Sequence, residues 1–274
     1  MTHPIEESDM PHCRIIHIYW VAFLFAALLA AQGCAVAPYT GRNQLMLVSP
    51  QQELTLGNQA AEQVLHEEKV VRSGPQVNEV QAIGRRIAMV ADQQGYQWQF
   101  YVVDDPETIN AFALPGGKVF VYTGLLRVAK SPDEVAAVIA HEIGHVLARH
   151  GGERLSNTLL AQVGQEAAMI ALGDMSPTAT KAANVAFGLG AQYGYILPFS
   201  RQQEYEADYI GLMIMAQAGY DPRAAISFWQ TMMQQDKAKP PEYLSTHPSD
   251  RNRIAELERA MPRAMQYYQN SRRM

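Results

Sequence analysis

The chain is expected to adopt an α+β fold, mainly helical, with a small antiparallel sheet beside one helix that carries a cluster of polar residues. Three observations predict it. Val135, Val138, Ile139, Ile143, Val146 and Leu147 recur at helical spacing around His141, Glu142 and His145. Residues 97–102 alternate apolar and polar side chains, and two extended runs flank Pro115-Gly116-Gly117. A further helix start, Ser200 to Gln203, follows Pro198.

Taken in order, residues 34–48 read as an extended linker with a turn at Tyr39-Thr40-Gly41-Arg42. Ser49-Pro50-Gln51-Gln52 starts an amphipathic helix, and Pro75 opens another that runs to about Gly95. Trp98, Phe100 and Val102 mark a strand. A second strand near Asn110 to Leu114 turns into Lys118 to Tyr122. Ser131-Pro132-Asp133-Glu134 supplies an N-cap, a proline in the first turn and a capping-box glutamate, and Gly151-Gly152 is expected to stop that helix. Residues 155–197 are rich in Ala, Gly, Met and Leu, with breaks near Gly173-Asp174 and Ser176-Pro177. They read as a mobile helical lid, with a core hairpin as the alternative. Glu166, Asp174 and Lys181 argue against a membrane span there.

A length of 274 residues with 48% hydrophobic content supports one substantial core, or at most two small ones. A net charge of −5 and no basic cluster argue against a nucleic-acid partner. Arg14, the uncharged stretch from Ile18 to Ala31 and Gln32-Gly33-Cys34 have the shape of a secretory leader. The expected organisation is therefore a signal peptide over 1–33, a linker over 34–48 and a catalytic domain over 49–274. Cys34 resembles a bacterial lipoprotein processing site, which implies a lipid on Cys34 and an outer-membrane location. An uncleaved anchor from Ile18 to Pro38 in the inner membrane is the alternative. Both put the catalytic part on the periplasmic side. If the leader is removed, Cys13 goes with it and Cys34 has no partner for a disulfide.

His141-Glu142-Ile143-Gly144-His145 is the H-E-x-x-H arrangement of zinc peptidases. Four residues on a helix separate the two histidines by about 40° around the axis, so both imidazoles can reach one metal. Glu142 is adjacent and can take a proton from water whose pKa zinc has lowered. A third protein ligand is needed. His150 does not match the H-E-x-x-H-x-x-G-x-x-H spacing, because Ala148 and Gly151 stand where glycine and histidine would be. It reads instead as a cation at the helix C-terminus. Glu204, on the first turns of the helix that Ser200 starts, is the better candidate. Asp208 is one turn further on the same face, placed to accept a hydrogen bond from a ligand histidine. Glu206 points away and reads as solvated or paired with an arginine.

Four segments together resemble the zinc metallopeptidase family that contains the CaaX prenyl protease, HtpX and BepA. They are Asn110 to Gly117, His141 to His145, Ser200 to Asp208, and Thr246-His247-Pro248 followed by Arg253. The resemblance implies a zincin-type fold with one Zn2+ per chain, held by His141, His145 and Glu204. It implies Glu142 as general base and Asp208 as the partner of a ligand histidine. His247 matches a histidine that restrains activity at the open zinc position or contacts the transition state. Arg253 matches a position suited to stabilising the oxyanion. An extended substrate is expected along Asn110, Ala111, Phe112 and Ala113 by strand addition. The implied activity is endoproteolysis of unfolded or misassembled envelope proteins, most like the periplasmic branch, with a chaperone or assembly factor for outer-membrane proteins as the alternative.

Overall fold

The computed structural model describes residues 34–37, 39–91, 95–172, 200–235, 241–247 and 251–273, with side chains left undescribed over 163–172 and at 251. The leader and most of the expected lid lie outside the described residues. Two short strands, β1 (Cys34–Val36) and β2 (Asn43–Leu45), pair antiparallel. The reversal between them places Tyr39 and Gly41 at φ 71° and 73°. Residues 34–48 are thus a hairpin rather than the extended linker expected, and it is docked: Tyr39 Oη donates to the Ala91 carbonyl, and the Leu47 amide donates to Ser156 Oγ.

Helix α1 (Pro50–Glu67) starts at the capping box of Ser49 and Gln52, and α2 (Pro75–Ala91) starts at its proline as expected. The main sheet contains β3 (Val70–Val71), β4 (Gln99–Val103), β5 (Ala111–Leu114) and β6 (Lys118–Tyr122), in the order β3-β4-β6-β5. Both outer pairs are antiparallel and the central β4–β6 pair is parallel. This leaves β5 at an edge. A short helix, α3 (Thr123–Val128), leads from β6 to α4 (Pro132–Leu147), which carries the polar cluster.

Every residue of α4 from Glu134 to Leu147 is buried. A helix enclosed on all sides has no solvent face, which accounts for an apolar content beyond a single stripe. Ser131 Oγ accepts from the Glu134 amide as the sequence predicts, but the Glu134 carboxylate accepts from the Lys130 amide and from Ser227 Oγ instead of closing the box. The helix also ends earlier than Gly151. Ala148 caps it, and Arg149 reverses the chain at φ 57°, so both glycines fall in the first turn of α5 (His150–Leu172).

Across α4 lies α6 (Arg201–Gln217), started by the capping box of Ser200 and Gln203. Their approach is close enough that a Cβ on Gly144 would lie 2.7 Å from the Ala207 carbonyl oxygen, and one on Gly211 would lie 2.9 Å from the His141 amide nitrogen. The helix-weakening glycine inside the motif is thus explained by packing. Helix α7 (Arg223–Met232), the short α8 (Glu242–Thr246) and α9 (Arg251–Ser271) complete the described fold. One core joins α2, α4, α6 and α7 to the sheet through Val80, Ile87, Val119, Ile139, Ile210 and Phe228. No helix among the described residues is long and apolar enough to cross a membrane.

Candidate metal centre

His141, His145, Glu204 and His247 each point one ligand atom inward, and these atoms all lie within 4.8 Å of one another. Two of the histidines come from successive turns of α4. His141 Nε2 is 3.0 Å from His145 Nε2, and Glu204 Oε1 is 3.4 Å from His145 Nε2. His247, the residue that caps α8, brings Nδ1 to 3.2 Å from both His141 Nε2 and Glu204 Oε1. Three imidazole nitrogens and a carboxylate oxygen form the donor set that Zn2+ takes in tetrahedral sites. Such a group is costly to bury unless its lone pairs share a cation, either a metal ion or a proton.

The flanking residues define each ligand's orientation. His141 Nδ1 lies 2.9 Å from Asp208 Oδ1, which leaves Nε2 toward the cluster. His145 Nδ1 lies 2.8 Å from His150 Nδ1, whose Nε2 is 3.0 Å from Glu206 Oε2. His150 is therefore not the cation expected at the C-terminus of α4, which Ala148 caps. The left-handed turn at Arg149 carries it back under His145, where it is fully buried. Of the two expectations for Glu206, the arginine pairing holds and the solvated one does not: it is buried, 2.7 Å from Arg42 Nε, and also meets His150 and Thr40.

Arg253 is 1% exposed and donates from Nε and Nη2 to both oxygens of Asp208, while Nη1 is 2.6 Å from Glu204 Oε2. Its guanidinium also lies over the Trp229 ring, 3.8 Å from the centroid. The oxyanion role expected of Arg253 does not match this placement, since the cation is committed to two carboxylates behind the ligands. Glu142 is also buried, with Oε1 3.5 Å from His247 Nε2 and 3.1 Å from Tyr243 Oη, which donates to it. Sequence reading missed Tyr243; no local pattern marks a tyrosine that packs against residues a hundred positions away.

Electrostatics follow burial. Desolvation raises the Glu142 carboxyl above its usual range, opposed by His247 and His141. Desolvation alone would raise Glu204 too, but His247, Arg253 and the hydrogen bonds from His141 and His145 hold it well below the usual carboxylate range. For His141, burial works against the charge and is outweighed by Asp208 and Glu204, which lift it to about 9. Burial keeps His145 well below its usual value. Burial and Glu142 hold the Tyr243 phenol protonated, well above 10.

The expected substrate strand is beside this cluster. The Tyr122 amide donates to the Asn110 carbonyl, which marks 110 and 122 as a hydrogen-bonded pair of the β5–β6 ladder. Alternation then places Ala111 and Ala113 opposite Val121 and Val119 in non-hydrogen-bonded pairs, with their own amides and carbonyls facing the outer edge. Ala111 is fully buried, whereas Phe112 and Ala113 are half-buried. Asn110 is buried, and its Nδ2 donates to Glu242 Oε1.

The model of peptidase family M48 matches residues 75–261, which takes in strands β4 to β6 and both motif helices. The chain belongs to peptidase family M48. As a member of this family it is a zinc metalloendopeptidase of α+β fold. It is 34% identical over 271 residues to the mitochondrial metalloendopeptidase OMA1 of Schizosaccharomyces pombe, covering 95% of this chain and 77% of that protein. The enzyme of the same name from Saccharomyces cerevisiae is 34% identical over 255 residues, 86% of this chain and 71% of its own. The β-barrel assembly-enhancing protease of Escherichia coli O157:H7 is 30% identical over 249 residues, 86% of this chain and 50% of its own. These relatives overturn the location expected from the leader. Mitochondrial enzymes match at higher identity than the bacterial assembly protease, so the M48 relationship contradicts the outer-membrane, periplasmic assignment and its inner-membrane alternative.

Proposed function

We propose that this M48 enzyme cleaves unfolded or misassembled protein chains bound in extended form along β5, with His141, His145 and Glu204 holding the zinc and Glu142 as general base. The observation that carries the reading is the placement of Glu142 beside the converging ligand atoms, on a helix that packs against β5, an edge strand among the described residues. Bound there, zinc supplies Lewis acidity that polarises a carbonyl and acidifies water. Glu142 takes the proton as the water oxygen bonds to the scissile carbon, then delivers it to the amide nitrogen as the C–N bond breaks. Desolvation of its carboxylate makes it the stronger base. The backbone groups of Ala111 and Ala113 align the substrate without reading its sequence.

His247 restrains the enzyme in this reading. Its Nδ1 reaches the same ligand atoms as the zinc would, and its Nε2 faces Glu142, so it stands where water and the carbonyl must enter. Helix α8 holds it there through the Tyr243 amide on the Ile109 carbonyl and Tyr243 Oη on Glu142. Arg253 and Asp208 are positioning residues for His141 and Glu204.

The test is cleavage of an unfolded protein by wild type, Glu142→Gln and His247→Ala, with zinc content measured in each. Zinc-dependent cleavage lost in the glutamate variant and faster in the histidine variant supports the reading. Unchanged cleavage by Glu142→Gln overturns it. The similarity to an assembly-enhancing protease favours a second reading, in which client binding is the main role and cleavage is conditional. Retention of the cellular role by Glu142→Gln would select that one.

A further inference from the structure

The two histidines of α4 are oriented by different means. His141 meets a carboxylate directly, whereas His145 meets His150, and the chain of contacts then runs outward for two more links. Glu206 accepts from Arg42 Nε at 2.7 Å and from Thr40 Oγ1, both in the turn of the N-terminal hairpin. Arg42 Nη1 and Nη2 each donate at 2.7 Å to Glu153 of α5, which also accepts from Gln203 Nε2 of α6. His150, Glu206, Glu153 and Gln203 are all buried.

With His150 neutral, hydrogen-bond bookkeeping along this line allows one arrangement. A Glu206 carboxylate that already accepts from a guanidinium and a hydroxyl can only accept from His150, so His150 Nε2 carries the hydrogen. The Nδ1 of a neutral His150 is then an acceptor. His145 must donate to it from Nδ1, and its Nε2 lone pair is left facing His141 and Glu204. We propose that His150 and Glu206, braced by Arg42 and Thr40 of the N-terminal hairpin, are positioning residues that fix His145 in its Nε2-ligating tautomer and so retain the zinc. The hairpin of residues 34–48 is in consequence a working part of the metal centre, reaching it across more than 160 residues of sequence.

A network of this kind could equally be only a staple that holds the hairpin down, and zinc release separates the two. The zinc-loaded full chain is mixed with excess chelator at constant pH and the release rate is followed, with thermal stability recorded separately. His150→Phe removes both bonds and is expected to release zinc about 10–100-fold faster, the range for partners of ligand histidines. His150→Gln, whose amide can accept at one end and donate at the other, is expected to stay near wild type. Arg42→Gln loosens Glu206 from outside and is expected to speed release several-fold. Thr231→Val breaks the Lys130–Thr231 hydrogen bond at a buried threonine, which touches no member of the relay, and is expected to leave release unchanged. Wild-type release from His150→Phe overturns the proposal, as does equally fast release from Thr231→Val. If the phenylalanine variant does not fold, Arg42→Gln decides, and unchanged release from it overturns the proposal.

Discussion

Gly144 and Ala207 touch where α4 and α6 cross: a Cβ at 144 would sit 2.7 Å from the carbonyl oxygen of 207. This contact sets the distance between the two ligand-bearing helices. Glu204 lies on α6 one turn before Ala207, and Asp208 directly follows it, facing His141 and His145 across the crossing. Gly144→Ala is therefore expected to cost about 1–3 kcal/mol through overpacking, and to weaken zinc binding as well, since the helices must part. Thermal unfolding and chelator competition measure the two effects. A stability loss with unchanged zinc affinity would show that the crossing distance does not set the ligand geometry.

Arg253 distinguishes charge pairing from catalysis. Its guanidinium is buried against Asp208 and Glu204, so Arg253→Met leaves two carboxylates with less compensation. A loss of about 3–5 kcal/mol is expected from breaking such a pair, read as a lowered unfolding midpoint in the zinc-loaded enzyme. A direct oxyanion contact would instead lower kcat with stability intact.

The outer edge of β5, unpaired among the described residues, can be probed by removing one donor. The Ala113 amide faces outward and its side chain is only half-buried, so Ala113→Pro keeps the β5–β6 ladder while blocking a main-chain bond to substrate. A rise in KM of up to about tenfold is expected for one lost hydrogen bond, with zinc content unchanged. At Ala111 the same change is expected to weaken peptide binding too, but the buried side chain there also invites misfolding. Equal loss of zinc and peptide binding would argue against strand addition.

Protons compete with zinc at His141. Without metal its imidazolium is held by Asp208 and Glu204 up to about 9, while His145 is neutral and Glu204 ionised well below that. Zinc uptake at pH 7 should then release about one proton, and affinity should rise with pH until it levels near 9. Titration calorimetry in buffers of different ionisation enthalpy measures the proton count. The sign for the metal-free protein is opposite: a folded pKa raised above 6.5 stabilises it below 6.5, and that contribution is lost as pH rises through about 9.

Much of the centre was legible because the chemistry is local. The i, i+4 histidines, the glutamate between them, the Ser200–Gln203 box that starts α6, and the spacing of Glu204 and Asp208 are all fixed within one or two helical turns. Periodicity marked α4 as a helix, and alternation marked β4 as a strand, for the same reason. Sequence thus determined the fold class, the zinc chemistry and the residues of the two motif helices. Tertiary structure decided that β4 and β6 run parallel, that residues 34–48 dock as a hairpin, that Arg253 serves carboxylates and that Tyr243 meets Glu142. It also decided that His150 turns inward, because Arg149 takes a left-handed conformation that the expected stop at Gly151 gave no reason to place there. Each of these depends on atoms far apart in the chain, and a one-dimensional pattern records spacing along the backbone but not which buried charge packing will bring to which partner.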